Sequence, residues 1–142
     1  MQIGNILATK AAGVVTVRPD QTIREAISLL TQKRIGAVVV TDERGHPVGI
    51  LSERDIIRAL AQNESIFGAA ISAIMTSDVI IGHPHDDLKA VSQTMTVNRF
   101  RHLPIMEHGE LVGIVSIGDV VKAQLEDYAG EIETLQTRVE KG

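Results

Sequence analysis

The chain has 142 residues, with 14 Lys+Arg against 18 Asp+Glu and a formal net charge of −4 at pH 7. That length supports one compact domain with a real core, and 44% hydrophobic with 23% charged residues is an ordinary globular composition. The lack of cysteine excludes disulfides, thiolate catalysis and cysteine-held metals. The acidic balance and the 2% aromatic content argue against nucleic acid or an anionic membrane as partner.

In chain order, residues 3–8 read as a short helix with Ile3, Ile6 and Leu7 on one side, broken by Gly13. Val14 to Val17 is a β-branched run and a predicted strand. Thr22 can cap a helix with Glu25 at the capping-box position, and Ile23, Ala26, Ile27 and Leu30 form its apolar face. Ala37 to Val40 is a second strand, 42–47 a turn, Val48 to Leu51 a third strand, and Asp55 to Gln62 a helix. Ser52-Glu53-Arg54-Asp55 marks that strand-to-helix junction. The Ser52 hydroxyl can accept from an orphan backbone N–H and the Asp55 carboxylate can reach back to the cap. A junction of this kind presents free N–H groups and a partial positive charge, which suits anions.

The second half repeats the order. Ala70 to Met75 echoes the opening helix, Val79-Ile80-Ile81 is a predicted strand, and Leu88, Val91 and Met95 give a helix face. His102 to Met106 and Leu111 to Val115 are strands around a turn at 107–110, and Asp119 opens the last helix within Ser116-Ile117-Gly118-Asp119. Pro19 and Pro84 lie 65 positions apart, as do Arg34 and Arg99, whereas Ser52 and Ser116 lie 64 apart, as do Asp55 and Asp119. One residue is lost in the second hairpin turn, where a length change is cheap. Two copies that keep element order, turn position and motif together constitute an internal repeat.

Each copy is too small to bury its own faces. The expected fold class is therefore α/β, in α+β arrangement: two pseudo-symmetric β-α-β-β-α repeats, 3–62 and 68–125, packed as one module, with a C-terminal helical tail over 126–142. In the tail, Val121, Leu125, Tyr128, Ile132, Leu135 and Val139 follow an a/d spacing for under three heptads. A helix laid on its own domain and a dimerisation helix are both open readings. No apolar run approaches 18 residues and the N-terminus lacks a signal-peptide pattern, so no membrane association and a cytoplasmic location are expected. Nor is there a nucleophile–base constellation, a P-loop or a metal signature. His46, His108, His83 and His85 read as solvated loop residues, and the chain is expected not to be an enzyme.

The doubled closing motif, Gly49-Ile50-Leu51-Ser52-Glu53-Arg54-Asp55 and Gly113-Ile114-Val115-Ser116-Ile117-Gly118-Asp119, resembles a tandem cystathionine-β-synthase (CBS) domain pair, or Bateman module, of the small stand-alone bacterial type. Val15 to Asp20, Ala73 to Thr76 and Arg101 to Ile105 match as well, and the resemblance spans roughly residues 3–125. It implies a regulatory module that binds an adenine nucleotide, AMP or ATP foremost, in clefts between repeats, with no cofactor required. The alternatives are a sensor of NAD(H) or S-adenosylmethionine, or an oligomerisation module with empty clefts. It further implies a homodimer and a regulated protein partner.

Carried residue by residue, Asp55 and Asp119 would hold ribose, with Ser52 and Ser116 near phosphate. Backbone around Thr16 and Ile81 would meet adenine, and Arg101 and His102 would meet phosphate. Arginine suits phosphate through its bidentate fork, and His102 would help when protonated. Copy one has Gly36 and Ala37 in place of that basic pair, and Arg54 is the candidate substitute, while Arg58 reads as a solvated helix residue. The two sites are expected to be unequal.

Overall fold

The structure is a computed structural model and describes residues 1–10 and 13–129. Copy one comprises α1 (Gly4–Leu7), β1 (Thr16–Val17), α2 (Ile23–Lys33), β2 (Ala37–Thr41), β3 (Pro47–Ser52) and α3 (Glu53–Gln62). Two 3-10 turns, Ile66–Gly68 and Ile71–Ala73, lead into copy two, with α4 (Leu88–Asn98), β4 (His102–Glu107), β5 (Glu110–Ser116) and α5 (Ile117–Ala129). β1 runs parallel to β2, and β2 and β3 are antiparallel, as are β4 and β5. The architecture is the mixed α+β pair of repeats that the spacing predicts.

The repeat extends to irregularities. Both hairpins change register at equivalent places, between Val40 and Thr41 and between Ile105 and Met106. The helices α2 and α4 both end on an arginine in the left-handed region, Arg34 (φ 54°) and Arg99 (φ 56°). The shortened second hairpin turns on His108 and Gly109, both at positive φ. That is the geometry that matches strand twist in a two-residue connection.

The opening segments are exchanged. Ile3 and Ile6 of copy one are buried with Leu88, Met95, Ile105 and Val120 of copy two. In return, Ile66 and Ile71 are buried with Ile23, Leu30, Leu51 and Ile56 of copy one. The glycine of each closing motif exists for this contact. A Cβ on Gly49 would stand 2.5 Å from the Met75 sulfur, and one on Gly113 would collide with the Leu7 side chain. Thr76 and Ile50 then exchange backbone hydrogen bonds of 2.9 Å each. A third cluster, Ala37, Val39 and Ile50 with Leu111 and Ile114, joins the two sheets.

Two expectations change. Ala70 to Met75 forms a 3-10 turn instead of a helix. Val79 to Ile81 joins no ladder; in this segment Gly82 bridges Ile105, donating to the Pro104 carbonyl and accepting from the Met106 N–H, both at 2.9 Å. The next ladder bond would come from the N–H of residue 104, and proline has none. In the tail, Val121, Leu125 and Tyr128 lie exposed on α5; Ile132, Leu135 and Val139 fall outside the described residues.

Candidate functional site

β3 ends at Ser52, and the capping box forms. The Ser52 hydroxyl accepts from the Asp55 N–H at 3.2 Å, and the Asp55 carboxylate accepts the Ser52 N–H at 2.9 Å through Oδ2. The Ser52 hydroxyl also donates to Oδ2 at 3.0 Å, while Oδ1 takes only a long contact, 3.4 Å, from the Thr76 hydroxyl. The Glu53 N–H donates to the Gly36 carbonyl at 2.9 Å, so three of the four orphan N–H groups at this helix start are served and that of Arg54, a residue lining a cleft, remains.

That cleft, of about 450 Å³, lies between the copies. Copy one contributes Gly36, Ile50 and the start of α3 from Ser52 to Arg58. Copy two contributes Thr76, Asp78, Val79 and Ile80, brought there by the segment exchange, and the run Arg99-Phe100-Arg101-His102 between α4 and β4. Arg54, Arg58, Arg99 and Arg101 all line it, against Glu53, Asp55 and Asp78. A chain of net charge −4 therefore brings four arginines to one cleft. Burial lowers the pKa of His102 from 6.5, the neighbouring charges of Arg101 and Lys10 push the same way, and Asp119 and Asp55 oppose them. The charged form of the ring is thus disfavoured.

Of the residues singled out in the sequence, Ser52, Arg54, Asp55, Arg101 and His102 line this one cleft, and Thr16, Ile81, Ser116 and Asp119 do not. Thr16 is exposed on β1, paired with Val39. Ile81 lines a separate hollow of about 300 Å³ with Gly82, Asp86 and Ala90; the backbone beside the arginines is that of Val79 and Ile80. Ser116 and Asp119 repeat the cap, with Asp119 N–H donating to Ser116 Oγ at 3.1 Å and Ser116 N–H to Asp119 Oδ2 at 2.9 Å. Their surroundings differ. The Lys10 ammonium donates to Asp119 Oδ2 at 2.7 Å and to the Ile114 carbonyl at 2.9 Å. Burial pushes the Asp119 carboxyl upward, but its hydrogen bonds from Lys10 and Ser116, with the Lys10 charge, outweigh this and hold it below 3.8.

The sequence reading gave no role to Arg99 or Phe100 and favoured a solvated helix face for Arg58, yet all three line the cleft. A signal was present: positions 99–102 put three basic or titratable side chains around one aromatic in a single short connection. Lys10 carried none, since it meets its partner across 109 positions. Among the described residues, no three His, Asp or Glu side chains converge as a metal site, and no helix is long and apolar enough to cross a membrane.

The family model described as CBS domain matches twice, over residues 4–62 and 71–126. A CBS domain-containing protein of Bacillus subtilis is 37% identical over 124 residues, covering 87% of each chain. The structure of a CBS-domain-containing protein from Agrobacterium tumefaciens superposes with a TM-score of 0.81 at 42% identity, over 87% of this chain and 99% of that one. The CBS domain pair of protein MJ0100, solved with 5′-methylthioadenosine and S-adenosyl-L-methionine, superposes with a TM-score of 0.78 at 28% identity, over 89% and 98%.

Proposed function

The chain belongs to the CBS-domain family, and from that premise we propose that it is a non-catalytic regulatory module that binds an adenine nucleotide, AMP or ATP, in the arginine-lined cleft. The observation that carries this is the convergence of Arg54, Arg58, Arg99 and Arg101 on one cleft. Guanidinium forks and the positive end of a helix are complementary to phosphate. Asp55 Oδ1, with only its long Thr76 contact, keeps acceptor capacity for ribose hydroxyls. The backbone at Val79 and Ile80 includes a carbonyl that Pro104 leaves unused by the ladder, suited to an adenine amino group. A volume of about 450 Å³ falls within the roughly 300–1,000 Å³ of small-ligand sites.

A second reading, S-adenosylmethionine, is favoured by the ligand of the MJ0100 pair. Its sulfonium is cationic, and four arginines oppose a cation where they attract a phosphate. NAD(H) brings two phosphates and is the third ligand to test. Both walls come from different copies, so a bound nucleotide tightens one copy on the other. A homodimer or a regulated protein partner in the cytoplasm reads that change, with coupling no larger than the ligand's differential affinity for the two arrangements. The exposed α5 residues Val121, Leu125 and Tyr128 make that helix the dimer contact to test, by solution mass of the chain truncated after Gln124.

Calorimetric titration with AMP, ADP, ATP, NADH and S-adenosylmethionine decides the ligand. Phosphate-bearing nucleotides are expected to bind, and to bind more weakly as salt rises. Heat from none of the five would leave the oligomerisation reading standing in place of the sensor.

A further inference from the structure

The two copies do not offer equal clefts, and the difference lies in the segment that joins each opening turn to its first strand. Leu7 and Met75 occupy equivalent places over the motif glycines of the opposite copy. Val15 and Ile80 are equivalent by the 65-residue register. From Leu7 to Val15 is eight steps along the chain, but from Met75 to Ile80 only five. Copy one is thus three residues longer in this part of its sequence, and Lys10 lies in that longer stretch.

Its ammonium reaches the position that matters. Around the first cap, the opposite copy supplies Asp55 with the weak Thr76 hydroxyl contact of 3.4 Å. Around the second, it supplies Asp119 with Lys10 at 2.7 Å, and the same ammonium also takes the Ile114 carbonyl at 2.9 Å. A single cation therefore holds both the capping carboxylate and the last part of β5. The pair is only part-buried, with side chains 36% and 28% exposed, so it can open without unfolding the domain. Gly36 is the counterpart of Arg101: its carbonyl accepts the Glu53 N–H at 2.9 Å beside the first cap, as the Arg101 carbonyl accepts the Ile117 N–H at 2.8 Å beside the second. The second cap has its carboxylate already held by a cation, which the first does not.

We propose that Lys10 is an intramolecular occupant of the second cleft: it holds Asp119 where a nucleoside's hydroxyls would bind, limits the chain to one nucleotide, and exposes a second, weaker nucleoside site when it withdraws. This rests on the reading of the first cleft as a nucleotide site. The withdrawn state leaves the Asp119 carboxylate bonded only within its own cap, with acceptor capacity to spare beside the Gly118 N–H, which fits a nucleoside or nucleoside monophosphate.

The test is AMP stoichiometry on the full chain, titrated to millimolar concentration, for the wild type, Lys10→Met, Lys10→Gln and Lys10→Met/Asp119→Ala. The wild type is expected to bind one AMP per chain and both single variants two, the first with unchanged affinity; the double variant returns to one. Two AMP bound to the wild type, or one to both folded single variants, overturns the Lys10 assignment while leaving the nucleotide reading intact. Retention of two sites in the double variant overturns the placement at Asp119. Absence of binding to every protein defeats the nucleotide reading and this inference with it.

Discussion

The two Ser-x-x-Asp junctions have the same backbone and different chemistry. Both close a β-hairpin, both start a helix, and in both the carboxylate accepts its cap N–H at 2.9 Å. What separates them is supplied by the opposite copy: the 99–102 run at Asp55, and Lys10 at Asp119. The motif specifies where a helix N-terminus opens, and the facing copy specifies what can sit there. A pseudo-symmetric fold can thus present two unequal sites without altering either cap.

The largest expected effect tests that division of labour directly. Arg101→Ala and Asp55→Ala should each weaken AMP binding roughly ten- to hundred-fold, the range of about 1.5–3 kcal/mol for a hydrogen bond to a charged group. Asp119→Ala should leave the measured affinity within about two-fold. Equal losses at Asp55 and Asp119 by calorimetry would mean that the two caps are functionally alike.

Next come the glycines under the exchanged segments. Gly49→Val and Gly113→Val should each destabilise by about 1–3 kcal/mol, the usual cost of overpacking, measured as a lower urea midpoint at unchanged slope. Gly49→Val should be the worse. Besides the movable Met75 side chain, a Cβ there stands 3.1 Å from the Thr76 carbonyl, which is fixed by its bond to Ile50, whereas at Gly113 only the Leu7 side chain must give. A larger loss at Gly113 would count against the exchange being equally tight in both directions.

A smaller effect distinguishes the clefts by pH. The folded pKa of His102 is lowered beneath 6.5, chiefly by burial, so protonation favours the unfolded chain. Stability should be full above pH 6.5 and decline as the pH falls from 6.5 through the folded value. His102→Gln should flatten that part of the profile in thermal melts. A profile unchanged by the substitution would remove His102 from the buried wall of the first cleft.

Much of this comparison was legible in the sequence, and the parts that were not have physical reasons. The 65- and 64-residue registers revealed the repeat, and capping chemistry located both helix starts, because these depend on local spacing. The exchange of Ile3 and Ile6 for Ile66 and Ile71 left no local trace, since an apolar residue does not reveal which copy it is buried in. The shift of the cleft wall from Ile81 to Val79 and Ile80 follows from one missing N–H at Pro104, a residue on a different strand. Arg58 reads as solvated on its own helix and becomes a cleft residue only when copy two is placed opposite. Lys10 is the extreme case: an isolated lysine near the chain start acquires its role from a carboxylate 109 positions away.

The smallest effect is the most specific to that lysine. The Lys10–Asp119 pair is partly solvated, so Lys10→Met should cost no more than about 1 kcal/mol at neutral pH, the range of exposed ion pairs. Its sign with pH is fixed by Asp119, whose folded pKa lies below 3.8. The contribution is therefore complete well above pH 3.8 and lost as the pH falls from 3.8 through the folded value. Wild-type and Lys10→Met stabilities should differ at pH 7, converge in acid, and approach each other in high salt as the pair is screened. With Lys10 removed, burial is left opposed only by the Ser116 hydrogen bonds, so the Asp119 carboxyl should titrate at a higher pH by carbon NMR. A carboxyl that keeps its low pKa in Lys10→Met would show that Ser116 alone holds the charge. The second cleft would then be shut by something other than the lysine.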